Sequence, residues 1–307
     1  MDTMKSAVID LLNNQSWAIL PEYLDTIHKV IYTRVYGGGA DMAAIEAMMG
    51  KELDNKRDIK VNSGVAVIPI HGMIAKRMNL FQQISGGVST EMLKKDIRKA
   101  ADDKEITAIV LDIDSPGGTV DGTKELADSI FALRGQKPIV AYANGLMASA
   151  AIYIGAAADS ITAYDTAQIG SIGVITEHRD YSVYDEKLGV KRTFITAGRY
   201  KAIGNDAEPL SDDAKAYIQK RLDDYYTLFV DDVARYRGVN SDDALKKWAD
   251  GRMFIAGEAL EIGLIDRIAT LDETIIMAGR DAAQKSQKQR ISSIDKRMAA
   301  LMSKINK

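Results

Sequence analysis

The chain of 307 residues contains no cysteine, which excludes disulfides, thiol nucleophiles and Cys-ligated zinc and fits a reducing compartment. Its three histidines, His28, His71 and His178, are scattered without metal-ligand spacing, so neither a metal nor another cofactor is expected. No long apolar run is present. The best of them, Gly64 to Ile70, falls far short of the roughly 20 residues that a membrane span needs. Charge of one sign is not in excess either: 40 basic residues are interspersed with 43 acidic ones for a net charge of −3, which gives nucleic acid no footprint. The first ten residues, Met1 to Asp10, are broken by charge before any signal-length apolar stretch develops, so neither a secretion signal nor a membrane anchor is expected. What remains is a chain 46% hydrophobic, enough for one large core, with a cytoplasmic location expected.

Along the chain, residues 1–60 are expected to form a helical lead-in and linker. A helical pattern runs from Trp17 to Tyr36, the loop Gly37-Gly38-Gly39 follows, then a Met- and Ala-rich helix near Asp41 to Leu53 and a charged run to Lys60. From Val61 the pattern changes to alternating strands and helices over residues 61–279. Strands are predicted at Gly64 to Ile70, Ile106 to Ile113, Pro138 to Ala143, Ser160 to Ala163, Gly173 to Thr176 and Arg192 to Thr196. Helices are predicted at Thr90 to Ala101, Val120 to Leu133, from Ser149, at Asp212 to Arg237 and at Ser241 to Ala249, the last behind a serine N-cap. Strands separated by helical crossovers imply βαβ units, hence an α/β fold with a mostly parallel sheet. The tail, residues 280–307, is basic, with eight basic and two acidic residues for a local net charge of +6. Its Ile291, Ile294, Met298, Leu301 and Ile305 are spaced as a heptad seam on a helix.

Two residues carry the chemistry. Ser149 stands where the strand ending near Ala143 gives way to an Ala-rich helix, a place where free N–H groups and the helix dipole favour negative charge. Lys201 follows 52 residues later, after an apolar segment. A neutral lysine can take a serine's proton, and it is neutral near pH 7 only if burial or a neighbouring cation lowers its reference pKa of about 10.4. Donors for an oxyanion are suggested by Ser115-Pro116-Gly117-Gly118, whose glycines let backbone N–H groups approach a substrate. In Gly170-Ser171-Ile172-Gly173 the Ser171 hydroxyl could orient the lysine amine. Taken singly, each is more often a cap, a turn or a solvated side chain. Their order along one α/β pattern is what points to a peptidase.

The segments Leu111 to Gly118, Met147 to Ala150, Gly170 to Val174 and Gly198 to Lys201 resemble the four motifs of the signal peptide peptidase A family of serine–lysine peptidases. The similarity runs from about Val61 to Ile268, and Asp114 stands where many cellular members have Asn. The resemblance implies Ser149 as nucleophile, Lys201 as general base, Ser171 as the residue positioning it, and the N–H groups of Gly118 and Ala150 as the oxyanion hole. It also implies the Clp protease/crotonase-like fold and a homo-oligomeric ring acting on protein substrates. Cellular members usually carry a membrane anchor; the lead-in around Ser16 to Leu24 is instead similar to the prohead (capsid maturation) proteases of tailed bacteriophages in the same family. The expected substrates are then scaffold and capsid proteins, met in the host cytoplasm or the prohead interior. The alternatives are a cytoplasmic housekeeping peptidase of this family and, in another class, a crotonase-like acyl-CoA enzyme or an inactive scaffold, which leaves Ser149 and Lys201 without a purpose.

Overall fold

The structure, a computed structural model, describes residues 15–36, 58–77 and 87–305. The expected Gly37–Gly39 loop and the Asp41–Leu53 helix lie outside these. In chain order the strands are β1 (Trp17–Ile19), β2 (Lys60–Asn62), β3 (Val65–His71), β4 (Ile74–Ala75), β5 (Val88–Ser89) and β6 (Ala108–Ser115). They continue as β7 (Gly117–Thr119), β8 (Ile139–Ala148), β9 (Ser160–Ala163), β10 (Gln168–Gly170), β11 (Met253–Ile255) and β12 (Arg267–Ile268).

Near-continuous apolar runs along β3, β6 and the first half of β8 bury both faces of one large sheet. Its order is β11-β10-β8-β6-β3-β2, with β9 beside β8 and β12 beside β9. Pairing is parallel throughout except at the edges, where β2 runs against β3 and β11 against β10. On one face Ile68, Ile70, Ile109, Leu111 and Ile113 pack with helices Thr90–Asp102, Thr123–Leu133, Ala150–Ala156 and the end of Asp212–Arg237. On the other, Val65, Val67, Val110, Val140 and Tyr142 meet Ile275, Ala278 and Ala282 of helix Leu271–Ile305. The fold is therefore the mixed α/β arrangement with a mostly parallel sheet that the sequence pattern predicts.

Strand β8 is central to the site. Its first half, Val140 to Ala143, pairs with β9 and its second half, Leu146 to Ala148, with β10. It ends at Ala148, five residues beyond the end predicted from the sequence, and so delivers Ser149 at the rim of the sheet. A second, smaller sheet of order β1-β7-β4-β5 sits beside that rim and carries Gly118.

Several local expectations are corrected. Trp17–Ile19 is a strand, not the start of a helix; the helix begins at Pro21, whose fixed φ suits a first helical turn. Arg192 to Thr196 forms no strand: among the described residues no partner strand lies beside it, and Ile195 is 96% exposed. Residues 173–176 contribute only a single bridge, Ile175 to Trp17. The N-cap of the helix Ser241–Lys247 is Asn240, whose side chain accepts from Asp243 N, one residue before the expected serine. The tail helix starts well before residue 280, at Leu271, behind a capping box in which Thr270 and Glu273 exchange side-chain to N–H bonds. The long helix Asp212–Arg237 has the predicted ends, set by the Ser211 cap and by Gly238 at φ 71°.

Candidate active site

Ser149 occupies a sharp turn between β8 and the helix Ala150–Ala156, with φ 54° and ψ −113°. A serine with positive φ is strained backbone, of the kind that surrounding structure must hold in place. Here its N–H donates to Gly170 O at 2.8 Å, its carbonyl accepts from Tyr153 N at 3.1 Å, and its hydroxyl donates to Gly173 O at 3.3 Å. A serine lifted out of a strand-to-helix turn is the arrangement by which many hydrolases present a nucleophile. The side chain is buried, 1% exposed.

Ser171 is brought next to it by register. Gly170 pairs with Ala148, so the residue after each, Ser171 and Ser149, leave adjacent strands side by side. Ser171 also has positive φ, 52°, and its N–H donates to Arg252 O at 2.7 Å. Gly118 approaches from the smaller sheet. A Cβ on Gly118 would stand 1.7 Å from Ile74 O, and one on Gly117, at φ 101°, would stand 3.0 Å from Ala148 O and 3.1 Å from Ala150 N. Gly117 lets β7 come this close to the Ser149 turn, and Gly118 lets it lie against Ile74 of β4. Ser149, Ala150, Ser171 and Gly118 thus converge.

Lys201 does not join them. It lies exposed in a turn closed by Lys201 N to Gly198 O at 3.1 Å. Its neighbours pin that turn to the start of helix Asp212–Arg237: Arg199 pairs with Asp213 at 3.0 Å, and Tyr200 stacks on Tyr217 with ring centroids 5.0 Å apart. Among the described residues no hydrogen bond links its amine to Ser149 or Ser171. The segment that carries it exposes Val183, Tyr184, Leu188, Phe194 and Ile195.

Sequence reading missed the support behind the nucleophile. Tyr153, one turn into the Ser149 helix, stacks on Phe229 at 4.4 Å and donates its hydroxyl to Asp232 at 2.5 Å. Burial, reinforced by that carboxylate, pushes the Tyr153 phenol upward. Asp232 also takes Lys124 and Arg235, each at 2.6 Å, and these bonds outweigh burial and hold its carboxyl below the usual range. Asp128 behaves alike: burial opposes ionisation, but bonds from Tyr236, Arg235 and Lys124 bring it down to about 2. The signal was present in the sequence only as charges far apart on two helices and a tyrosine on a third. Since the folded pKa lies below the ordinary carboxylate value, this stabilisation is present above about pH 4 and is lost as pH falls toward about 2. Thermal melts should therefore drop across that window, and Asp128→Asn should flatten the drop; an unchanged acid limb in the variant would contradict the assignment.

Among the described residues no group of three or more His, Asp or Glu side chains could hold a metal, and no helix is long and apolar enough to cross a membrane.

Comparison with known proteins locates this site within a family. The model of peptidase family S49 matches residues 132–285, a stretch that includes Ser149, Ser171 and Lys201. Capsid assembly protease C of Escherichia phage lambda is 34% identical over 233 residues, 75% of this chain and 52% of that protein. The chloroplastic serine protease SPPA of Arabidopsis thaliana is 29% identical over 219 residues, 71% of this chain and 32% of its own. The chain thus spans about half the length of the phage relative and about a third of the plant one. Among solved structures, an enoyl-CoA hydratase/isomerase family member is similar at 19% identity with a TM-score of 0.45, covering 80% of this chain and 87% of that one, a likeness too distant to carry function.

Proposed function

The chain belongs to peptidase family S49, and from that we propose that it is a serine endopeptidase with Ser149 as nucleophile and Lys201 as general base. The observation that carries the reading is the strained Ser149 turn, positive in φ, with β7 drawn against it at Gly117. The Ser149 hydroxyl attacks a substrate carbonyl carbon as its proton passes to the neutral lysine. Charge developing on the carbonyl oxygen is met by the N–H groups of Gly118 and Ala150. The lysine then returns the proton to the departing amine, and water, deprotonated by the same lysine, releases the acyl group from Ser149. Ser171, beside Ser149 by register, orients the lysine.

Lys201 has to be carried to this site. The apolar side chains exposed on its segment suit burial against a second copy, which supports a homo-oligomer as the active form, with the ring as its closed arrangement. Substrates are proposed to be scaffold and capsid proteins of a phage head, a reading supported by the capsid assembly protease among the relatives. The basic tail would draw the enzyme to an acidic scaffold through screened attraction, small per pair.

Co-expression with the scaffold and capsid genes of the same locus tests this. Shortened scaffold or capsid products are expected with the wild type and none with Ser149→Ala. Intact scaffold and capsid beside rapid degradation of unrelated unfolded proteins would replace the phage role with a housekeeping one.

A further inference from the structure

At 1% exposure, the Ser149 hydroxyl is out of reach of any substrate in this state, so something has to leave before a peptide can bind. Strand β1 runs beside the site. It lies antiparallel along β7, with Trp17 opposite Thr119, Ala18 opposite Gly118 and Ile19 opposite Gly117. On its other side Trp17 and Ile175 exchange both backbone hydrogen bonds at 2.8 Å, and Thr176 Oγ1 donates to Gln15 O at 3.1 Å. The strand is thus clamped between β7 and the segment whose Gly173 carbonyl holds the Ser149 hydroxyl.

The register fixes which carbonyl stands at the site. Val120 N donates to Ser16 O at 3.2 Å and Leu20 N to Pro116 O at 3.0 Å. Hydrogen-bonded pairs alternate along an antiparallel ladder, so the pair midway between these two, Ala18 and Gly118, is a hydrogen-bonded one. The Gly118 N–H therefore points at the carbonyl oxygen of Ala18. Close approach agrees: the point where a Gly117 Cβ would stand is 2.2 Å from Ala18 O and 3.1 Å from Ala150 N. The Ala18 carbonyl thus takes the donor proposed for a scissile carbonyl. Side chains sort by face. Ala18 belongs to the main core, while Trp17 and Ile19 pack with Leu24, Ile27, Met73 and Ala75 in a separate cluster.

We infer that the groove between β7 and residues 172–176 is the peptide-binding groove, that it takes an extended chain by strand addition with a small residue opposite Gly118, and that Ser16–Leu20 is its resident occupant, an internal strand that must leave before a substrate enters. The inference rests on Ser149 being the nucleophile. Strand addition draws affinity from main-chain bonds and selectivity from alternate side chains, which here favours a small residue flanked by large apolar ones. A tethered occupant competes at high effective concentration, so free peptide gains the groove only when the tether's docking is weakened.

A disulfide lock tests this, and the absence of cysteine makes it clean. Ser16 and Val120 are both half-buried and opposite one another, and such hydrogen-bonded pairs have Cα atoms about 5.5 Å apart, within the bridgeable range. The double variant Ser16→Cys, Val120→Cys should lose cleavage of fluorescein-labelled β-casein when oxidised and regain it on reduction, while the wild type ignores the reductant. With Ser149→Ala added, fluorescence anisotropy should detect casein binding to the reduced form alone. Leu20→Pro, which removes the Leu20 N to Pro116 O bond, should raise casein turnover above wild type. Casein cleaved or bound equally by both redox forms, or bound by neither while Leu20→Pro shows no gain, overturns the inference. Binding to the reduced form without cleavage by either form would sink the peptidase reading and leave the groove assignment standing.

Discussion

Ser149→Ala and Lys201→Ala are each expected to reduce peptide hydrolysis on the order of 10⁶-fold, with the double variant no worse than either, because nucleophile and base act as one unit whose losses do not add. The fold should survive both changes. Ser149 Oγ makes one long bond, to Gly173 O at 3.3 Å, and Lys201 is exposed, so each variant should keep its stability within about 1 kcal/mol. Lys201→Arg should be as inactive as Lys201→Ala, since a guanidinium stays protonated and cannot take the serine proton. Turnover of labelled casein, measured beside a thermal melt for each variant, separates loss of chemistry from loss of fold. Near wild-type turnover in any one of the three would remove the dyad.

The second large effect is expected at Gly118. Gly118→Ala would place a methyl group 1.7 Å from Ile74 O and 2.5 Å from Ile74 C, both backbone atoms that cannot rotate aside. Either β4 or β7 must shift. Overpacking of this kind costs about 1–3 kcal/mol or more, and the same shift withdraws an oxyanion donor, so the melting temperature and turnover should fall together. Gly257→Ala is the matched control. Gly257 lies in the helix Ala256–Glu261, with nothing within 4 Å of an added Cβ, and alanine there should stabilise by up to about 1 kcal/mol without touching activity. A Gly118→Ala protein that melts and turns over like wild type would show that β7 does not pack this tightly against β4.

What could be read from the sequence followed from local chemistry. The helix Asp212–Arg237 was predicted with the ends it has, and Ser211 and Gly238 cap it. Alternating strands and helices gave the parallel sheet, because apolar runs such as Ala108 to Ile113 can be buried on two faces only that way. The misses were matters of long-range pairing. Trp17–Ile19 is too short to show a period, and it is a strand only because Gly117–Thr119 lies beside it. Arg192 to Thr196 has strand-forming residues but no partner strand among the described residues, so it stays irregular. Motif order brought Ser149, Ala150, Ser171 and Gly118 into one reading, and the chain brings them together; the positive φ of Ser149 and Ser171 left no mark in residue type, since serine seldom adopts it. Lys201 was legible as a candidate but not its placement, which is set by Arg199 and Tyr200 holding its turn against the long helix.

Covalent labelling tests the central claim most directly. Treated with a fluorophosphonate and read by intact mass and peptide mapping, the assembled wild type should acquire one adduct, on Ser149. That adduct should be absent in Ser149→Ala and strongly slowed in Lys201→Ala. Labelling at another residue, or undiminished labelling of Ser149 without Lys201, would contradict a serine nucleophile activated by this lysine.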